Sequence, residues 1–235
     1  MVNEIKAAYP IEINHSSAAK RISLRVKRDL SCFVLTLPKT ATLKQGQVFT
    51  DIHSGWLISA SRHLRALTKI EDGISFSFLG DTVTVFFRPA ARGKAERNGN
   101  DINVFGYREF FGHRLKNFLE KELLDYIKQR ISDYESIYPF ALPSLKGGRR
   151  GKIAIYNTTS RWGSCSSSGN LSFCFNLCFA DKPIIDYVIA HELSHLKEMN
   201  HSPAFWATVE SLYPDWKNAR KWLKNNGTKL HSFTF

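Results

Sequence analysis

The sequence predicts an α+β chain, on three observations. Apolar and polar residues alternate in short runs up to about residue 106. Apolar residues recur at spacings of three and four over 108–134 and again over 184–196. The second helical run contains His191-Glu192-x-x-His195. These features predict a β-rich region over residues 1–106. A helix–strand–helix domain over residues 107–235 follows it.

The elements follow in chain order. Ile22, Leu24 and Val26 alternate with polar residues, and Cys32–Leu37 is a second extended run closed by Pro38. The two predict a hairpin turning at Asp29-Leu30-Ser31. Val48, Ile52, Trp56, Leu57, Leu64 and Leu67 predict helix over 45–69. Ile74–Leu79 and Thr82–Phe87 flank Gly80-Asp81, a second hairpin with an apt two-residue turn. Residues 89–100 are rich in Arg, Gly and Asn and predict an exposed loop, with an extended piece at Ile102–Phe105. Phe111, Leu115, Phe118, Leu119, Leu123, Ile127 and Ile131 give one apolar face to a helix over 108–134. Pro139–Arg150 predicts a loop, Lys152–Tyr156 a strand, and Leu171–Leu177 a further strand after the Gly169-Asn170 turn.

Composition narrows the class. The chain has 235 residues, 43% of them hydrophobic, which suits a globular fold. No apolar run reaches the length of a membrane span. Met1–Asn14 has charged residues and no apolar core region, so it does not read as a signal peptide. The expected compartment is the cytoplasm, with no membrane partner. Cys32, Cys165, Cys174 and Cys178 form no C-x-x-C pair and read as free thiols. The formal net charge of +12 suits an anionic partner, nucleic acid included. No nucleic-acid fold motif accompanies it, and a solvated basic surface is the simpler account.

The chemistry concentrates in Val188–His195. On a helix, His191 and His195 lie one turn apart on one face and can hold a single metal ion. Glu192 is offset by one residue and can reach a water on that ion as a general base. Two core histidines with satisfied hydrogen bonds are the alternative, and burying both beside a Glu without a task is costly. Catalytic zinc normally has three protein ligands. His201, six residues past His195, is favoured as the third because a helix ending near Met199 or Asn200 lets the chain turn back. Ser202 and Pro203 then start a new helix as its N-cap and first residue. Glu210, on that next helix, is the rival. Glu198 stands where a metzincin needs its turn glycine, which argues against that class.

Upstream lies Thr159-Ser160-Arg161-Trp162-Gly163-Ser164-Cys165, a compact stretch of unusual composition. Arg161 is a candidate to stabilise an oxyanion or anchor a carboxylate or phosphate. The strand over 171–177 is expected along the rim of the cleft, where an edge would bind an extended peptide by strand addition.

Ser160–Cys165, Asn176-Leu177, His191–Leu196 and Asn200–Trp206 together resemble the YgjP-like metal-dependent hydrolases, a group similar to the SprT and WLM zinc peptidases. The basic hairpin Arg21–Val26, the Trp56 helix and Phe78-Leu79-Gly80 extend the likeness to the N-terminal half. The resemblance implies a zincin-like catalytic domain. Its ligands would be His191, His195 and His201, and its base Glu192. Three readings of function follow. The first is a zinc-dependent hydrolase of peptides. The second is a metal-dependent hydrolase of a nucleotide or other phosphorylated small molecule. The third is a basic nucleic-acid-binding or adaptor protein with structural zinc, which three His serve poorly.

Overall fold

The computed structural model describes residues 5–27, 31–61, 64, 67–137 and 151–235. The chain divides into two units, residues 1–68 with 231–234, and residues 69–230 with 235. Residue 106, the expected end of the β-rich region, falls inside the larger unit. The strands just before it pack on the long helix that follows.

In the smaller unit, β1 (Ile11–Ser16), β2 (Ser23–Val26) and β3 (Phe33–Pro38) form a sheet in the order β1-β3-β2. β2 and β3 make the expected hairpin, in a register running from Val26↔Phe33 to Ser23↔Thr36. Asp29 and Leu30 of its expected turn lie outside the described residues. β1 runs parallel to β3, a pairing that alternation alone does not predict. The central strand buries Phe33, Leu35 and Leu37 completely.

The helix expected over 45–69 is two shorter ones, α1 (Leu43–Ile52) and α2 (Ser54–Ser61). α1 starts earlier than expected because Thr42 and Gln45 form a capping box. It ends at His53, whose backbone leaves helical geometry. The His53 ring stacks on Phe49 at 4.1 Å, and its Nδ1 lies 2.8 Å from the Phe49 carbonyl oxygen. Gly55, a poor helix former, follows the joint. A two-residue strand, β4 (Thr68–Lys69), lies at the boundary between the units.

The larger unit opens with β5 (Ser75–Phe78), β6 (Asp81–Pro89), β7 (Ala95–Asn98) and β8 (Asp101–Gly106), in the order β5-β6-β8-β7. The β5–β6 turn is Leu79-Gly80, one residue before the expected position, because Phe78 pairs with Asp81. Both turn residues have positive φ, 51° and 86°, as a two-residue hairpin turn requires. Leu79 is held there by its N–H, which donates to the Cys178 carbonyl at 2.8 Å. Part of the expected 89–100 loop is the edge strand β7, antiparallel to β8. Its charged residues suit an exposed sheet edge and conceal the strand from an apolar count.

α3 (Phe111–Ile137) follows a 3-10 turn at Arg108–Phe110 and buries Leu115, Leu119, Leu123, Ile127 and Ile131 as expected. The expected loop Pro139–Arg150 lies outside the described residues.

The last sheet contains β9 (Ile153–Tyr156), β10 (Gly163–Cys165) and β11 (Leu171–Cys174), in the order β10-β11-β9. The strand expected over 171–177 gives way to a 3-10 turn at Phe175–Phe179. It is also not an edge. β9 pairs parallel with one side of β11 and β10 antiparallel with the other. Among the described residues β10 and β9 are the two edges of this sheet.

Three helices complete the unit: α4 (Lys182–Ser194), α5 (Pro203–Leu212) and α6 (Trp216–Leu230). α4 packs against α3, α5, α6 and β10. Ile184, Ile185, Val188, Ile189 and Leu193 are buried in that core. Asp181 stands at the N-cap of α4, but its side chain makes no cap hydrogen bond. Among the described residues no helix is long and apolar enough to cross a membrane.

Candidate metal centre

α4 ends sooner than the sequence suggests, at Ser194, with His195 as its C-cap. The chain then tightens. Leu196 N–H donates to Leu193 O and Lys197 N–H to Ser194 O, both three residues back. Ser194, fully buried, returns its hydroxyl to Ala190 O at 2.7 Å. The tight exit lets Met199–Ser202 fold back over the helix end. Ser202 caps α5 as expected, accepting from Phe205 N–H at 3.3 Å, and Pro203 occupies the first turn.

This return brings His201 to His191. Their Nε2 atoms lie 3.1 Å apart. Candidate ligand atoms of His191, His195 and His201 all fall within 4.8 Å of one another. Two nitrogens on one tetrahedral ion at about 2.0–2.1 Å stand roughly 3.3 Å apart, so the spacing fits a shared metal. Glu210, the rival ligand, is exposed on α5 and is not in the cluster.

The surroundings of His191 and His195 favour neutral imidazoles, the form that binds metal. Burial, with His195 and His201 close by, lowers the His191 pKa to about 3. Burial likewise lowers that of His195. The His195 Nδ1 lies 3.1 Å from the Glu198 carbonyl, which can only accept, so this nitrogen carries the proton and Nε2 is left as the ligand. Beneath the trio, Phe205 is fully buried, with its ring centroid 4.9, 4.5 and 4.7 Å from those of His191, His195 and His201. Sequence periodicity marks Phe205 as inward-facing and does not reveal it as the platform for all three rings.

Glu192 is 5% exposed. Burial raises its pKa to about 8, and the Arg161 cation opposes the rise. Its carboxylate lies against β10. A Cβ at Gly163 would fall 2.5 Å from Glu192 Oε1, so a side chain there displaces the carboxylate. Cys165, at the far end of β10, has its thiol pushed up to about 11 by burial with Glu192 close by, and stays protonated. Thr158 steadies the Arg161 loop, donating its hydroxyl to Arg161 O at 2.8 Å. Trp162 packs on α6 where Gly227 leaves space, since a Cβ there would meet its ring at 2.7 Å.

A cavity of about 330 Å³ opens beside these groups. Of the expected site residues, Arg161, His191 and Glu192 line it and His195 and His201 do not. Tyr187, Arg220 and Lys224 line it as well, and sequence reasoning missed all three. Arg220 and Lys224 carry one local signal, a spacing of four on the amphipathic α6. Their placement beside α4 is tertiary.

The family model described as YgjP-like, metallopeptidase domain, matches residues 20–226. The crystal structure of the metallopeptidase zymogen of Pyrococcus abyssi abylysin is similar at 22% identity and a TM-score of 0.36, over 46% of this chain and 99% of that one. No curated protein matches.

Proposed function

The chain belongs to the YgjP-like metallopeptidase family, and from that premise we propose that it is a zinc-dependent peptidase with Glu192 as its general base. His191, His195 and His201 would hold the ion. The observation that carries this reading is the convergence of three imidazoles beside a buried carboxylate. When bound, zinc supplies Lewis-acid polarisation and makes water a nucleophile near neutral pH.

The chain's own groups do the rest. Glu192 takes a proton from the attacking water and passes it to the leaving amine. Burial favours its protonated form, and the Arg161 cation favours the carboxylate that a base needs. Arg161 supplies positive charge where the substrate carbonyl becomes an oxyanion. β10 is an outer strand of its sheet and lies next to Glu192, and an extended peptide would add to it by backbone hydrogen bonds.

The test compares metal-quantified wild type with Glu192→Gln on a broad peptide set. Cleavage by wild type, and its loss in a metal-replete variant, is expected. Equal turnover by both proteins sinks the mechanism.

A second reading draws on the cationic lining of the cavity. Arg161, Arg220 and Lys224 also suit a phosphorylated small molecule such as a nucleotide. Nucleoside triphosphates assayed in parallel decide between the two. Their hydrolysis without any peptide cleavage would replace the first reading.

A further inference from the structure

The cavity beside Glu192 carries positive charge that proton transfer does not use. Arg161 enters it from the loop before β10, and Arg220 and Lys224 enter from α6. Glu192 is the sole carboxylate among the lining residues. None of the three cations forms an ion pair with another described residue. Like charges four apart weaken a helix, so stability does not explain Arg220 and Lys224.

Arg220 is the most firmly placed. Its guanidinium carbon sits 4.8 Å over the Trp206 ring. Trp206 stacks on Trp216 at 4.4 Å and 20°. The Trp206 ring also lies 5.8 Å from both His191 and His201. A wall of stacked rings therefore ties this cation to the metal centre. Stacking on an aromatic face leaves the planar donor fork of a guanidinium free to meet a carboxylate.

We infer that Arg220 and Lys224 form a carboxylate subsite, and that the peptides cleaved here carry an acidic side chain beside the scissile bond. The inference rests on the peptidase reading. Tyr187, Val188, Leu223 and Trp162 line the same cavity, and their apolar surface suits the methylene stem of a Glu. A polyphosphate is served best by backbone amides at a helix N-terminus or a glycine nest. The lining residues of α4 and α6 lie inside their helices, where the N–H groups are already committed.

The experiment uses metal-loaded wild type, Arg220→Ala, Arg220→Gln and Lys224→Ala, on peptides differing only by Glu, Gln or Lys at one scanned position. Calorimetry on metal-loaded Glu192→Gln measures binding of the same peptides and of a nucleoside triphosphate. At low salt the Glu peptide is expected to exceed its Gln analogue in kcat/KM by about tenfold or more, one tenfold step per well-formed charged contact. Both Arg220 variants should bring that ratio toward one. Arg220→Gln keeps a stem on Trp206 should Arg220→Ala fail to fold. Equal cleavage of Glu and Gln peptides overturns the subsite and leaves the peptidase reading standing. Cleavage of no peptide overturns the peptidase reading, and binding to Glu192→Gln then judges the subsite. A tenfold affinity preference for the Glu peptide supports it. Tighter binding of the triphosphate than of the Glu peptide overturns it.

Discussion

Gly163 and Glu192 occupy mutually exclusive space. The missing side chain of the one is where the carboxylate of the other lies, with Oε1 2.5 Å from the position a Cβ would take. The obstacle is partly the Cγ of Glu192, at 2.6 Å, so a small rotation of the carboxylate does not relieve it.

Gly163→Ala is therefore expected to act on catalysis more than on folding. The carboxylate must move away from the site, and a displacement of about 1 Å can remove about a hundredfold in rate. Metal content should stay at the wild-type level, since the three atoms nearest a Cβ at Gly163 all belong to Glu192. Steady-state kinetics with metal analysis checks this. A metal-replete Gly163→Ala protein of normal activity would show that Glu192 need not lie where it does.

Phe205 supports all three imidazoles, so its loss should couple stability to metal affinity. Phe205→Ala is expected to cost about 3–5 kcal/mol, as for other fully buried aromatics. Apparent metal affinity, read by competition with a chelator, should fall about tenfold or more. Phe205→Leu should recover most of the stability and less of the affinity, because a branched aliphatic group fills volume without a flat face. Unchanged chelator competition in Phe205→Ala would remove the platform role.

The contrast between these residues explains what is legible in the sequence. His191, Glu192 and His195 share one helical turn, so their juxtaposition is local and visible in the spacing. His201 is nearly as local, because Ser202-Pro203 marks the restart of helix just beyond it. The platform, the cationic wall and the strand order of the last sheet are not local. Arg220 meets Trp206 across two helices. β11 looks like a rim strand until β9, on the other side of β10 in the chain, takes its second side. Gly227 makes room for Trp162 from a distant part of the chain. Alternation and periodicity say which face of an element is buried, and they do not say what buries it.

The orientation of α4 depends on a polar anchor away from the cavity. Asp186 accepts from Tyr126 hydroxyl at 2.7 Å and from Arg130 Nε at 3.1 Å, which joins α4 to α3. Asp186→Asn removes the charge these donors face and is expected to cost about 1–3 kcal/mol. The thermal midpoint should fall while kcat/KM at a temperature well below it changes less than about threefold. A large loss of kcat/KM at full metal occupancy would instead place the anchor in the positioning of the site.

Glu192 and His191 should impose opposite pH dependences on the metal-free protein. The folded pKa of Glu192, about 8, lies above its ordinary 4.5, so stability it contributes below 4.5 is lost as pH rises toward 8. That of His191, about 3, lies below its ordinary 6.5, so stability present above 6.5 is lost as pH falls toward 3. Glu192→Gln removes only the first effect. The chelator-treated variant should gain on wild type by on the order of 3 kcal/mol at pH 8 and by much less at pH 5. At about 2–4 °C per kcal/mol for a chain of this size, the gap in thermal midpoint should widen by about 5 °C or more across that window. Arg161→Ala should act the other way. It removes the cation that favours ionised Glu192, and so lowers stability further at pH 8. Thermal melts in chelator across the pH series measure both. A Glu192→Gln gap that stays constant with pH would show that burial of this carboxylate does not govern its ionisation.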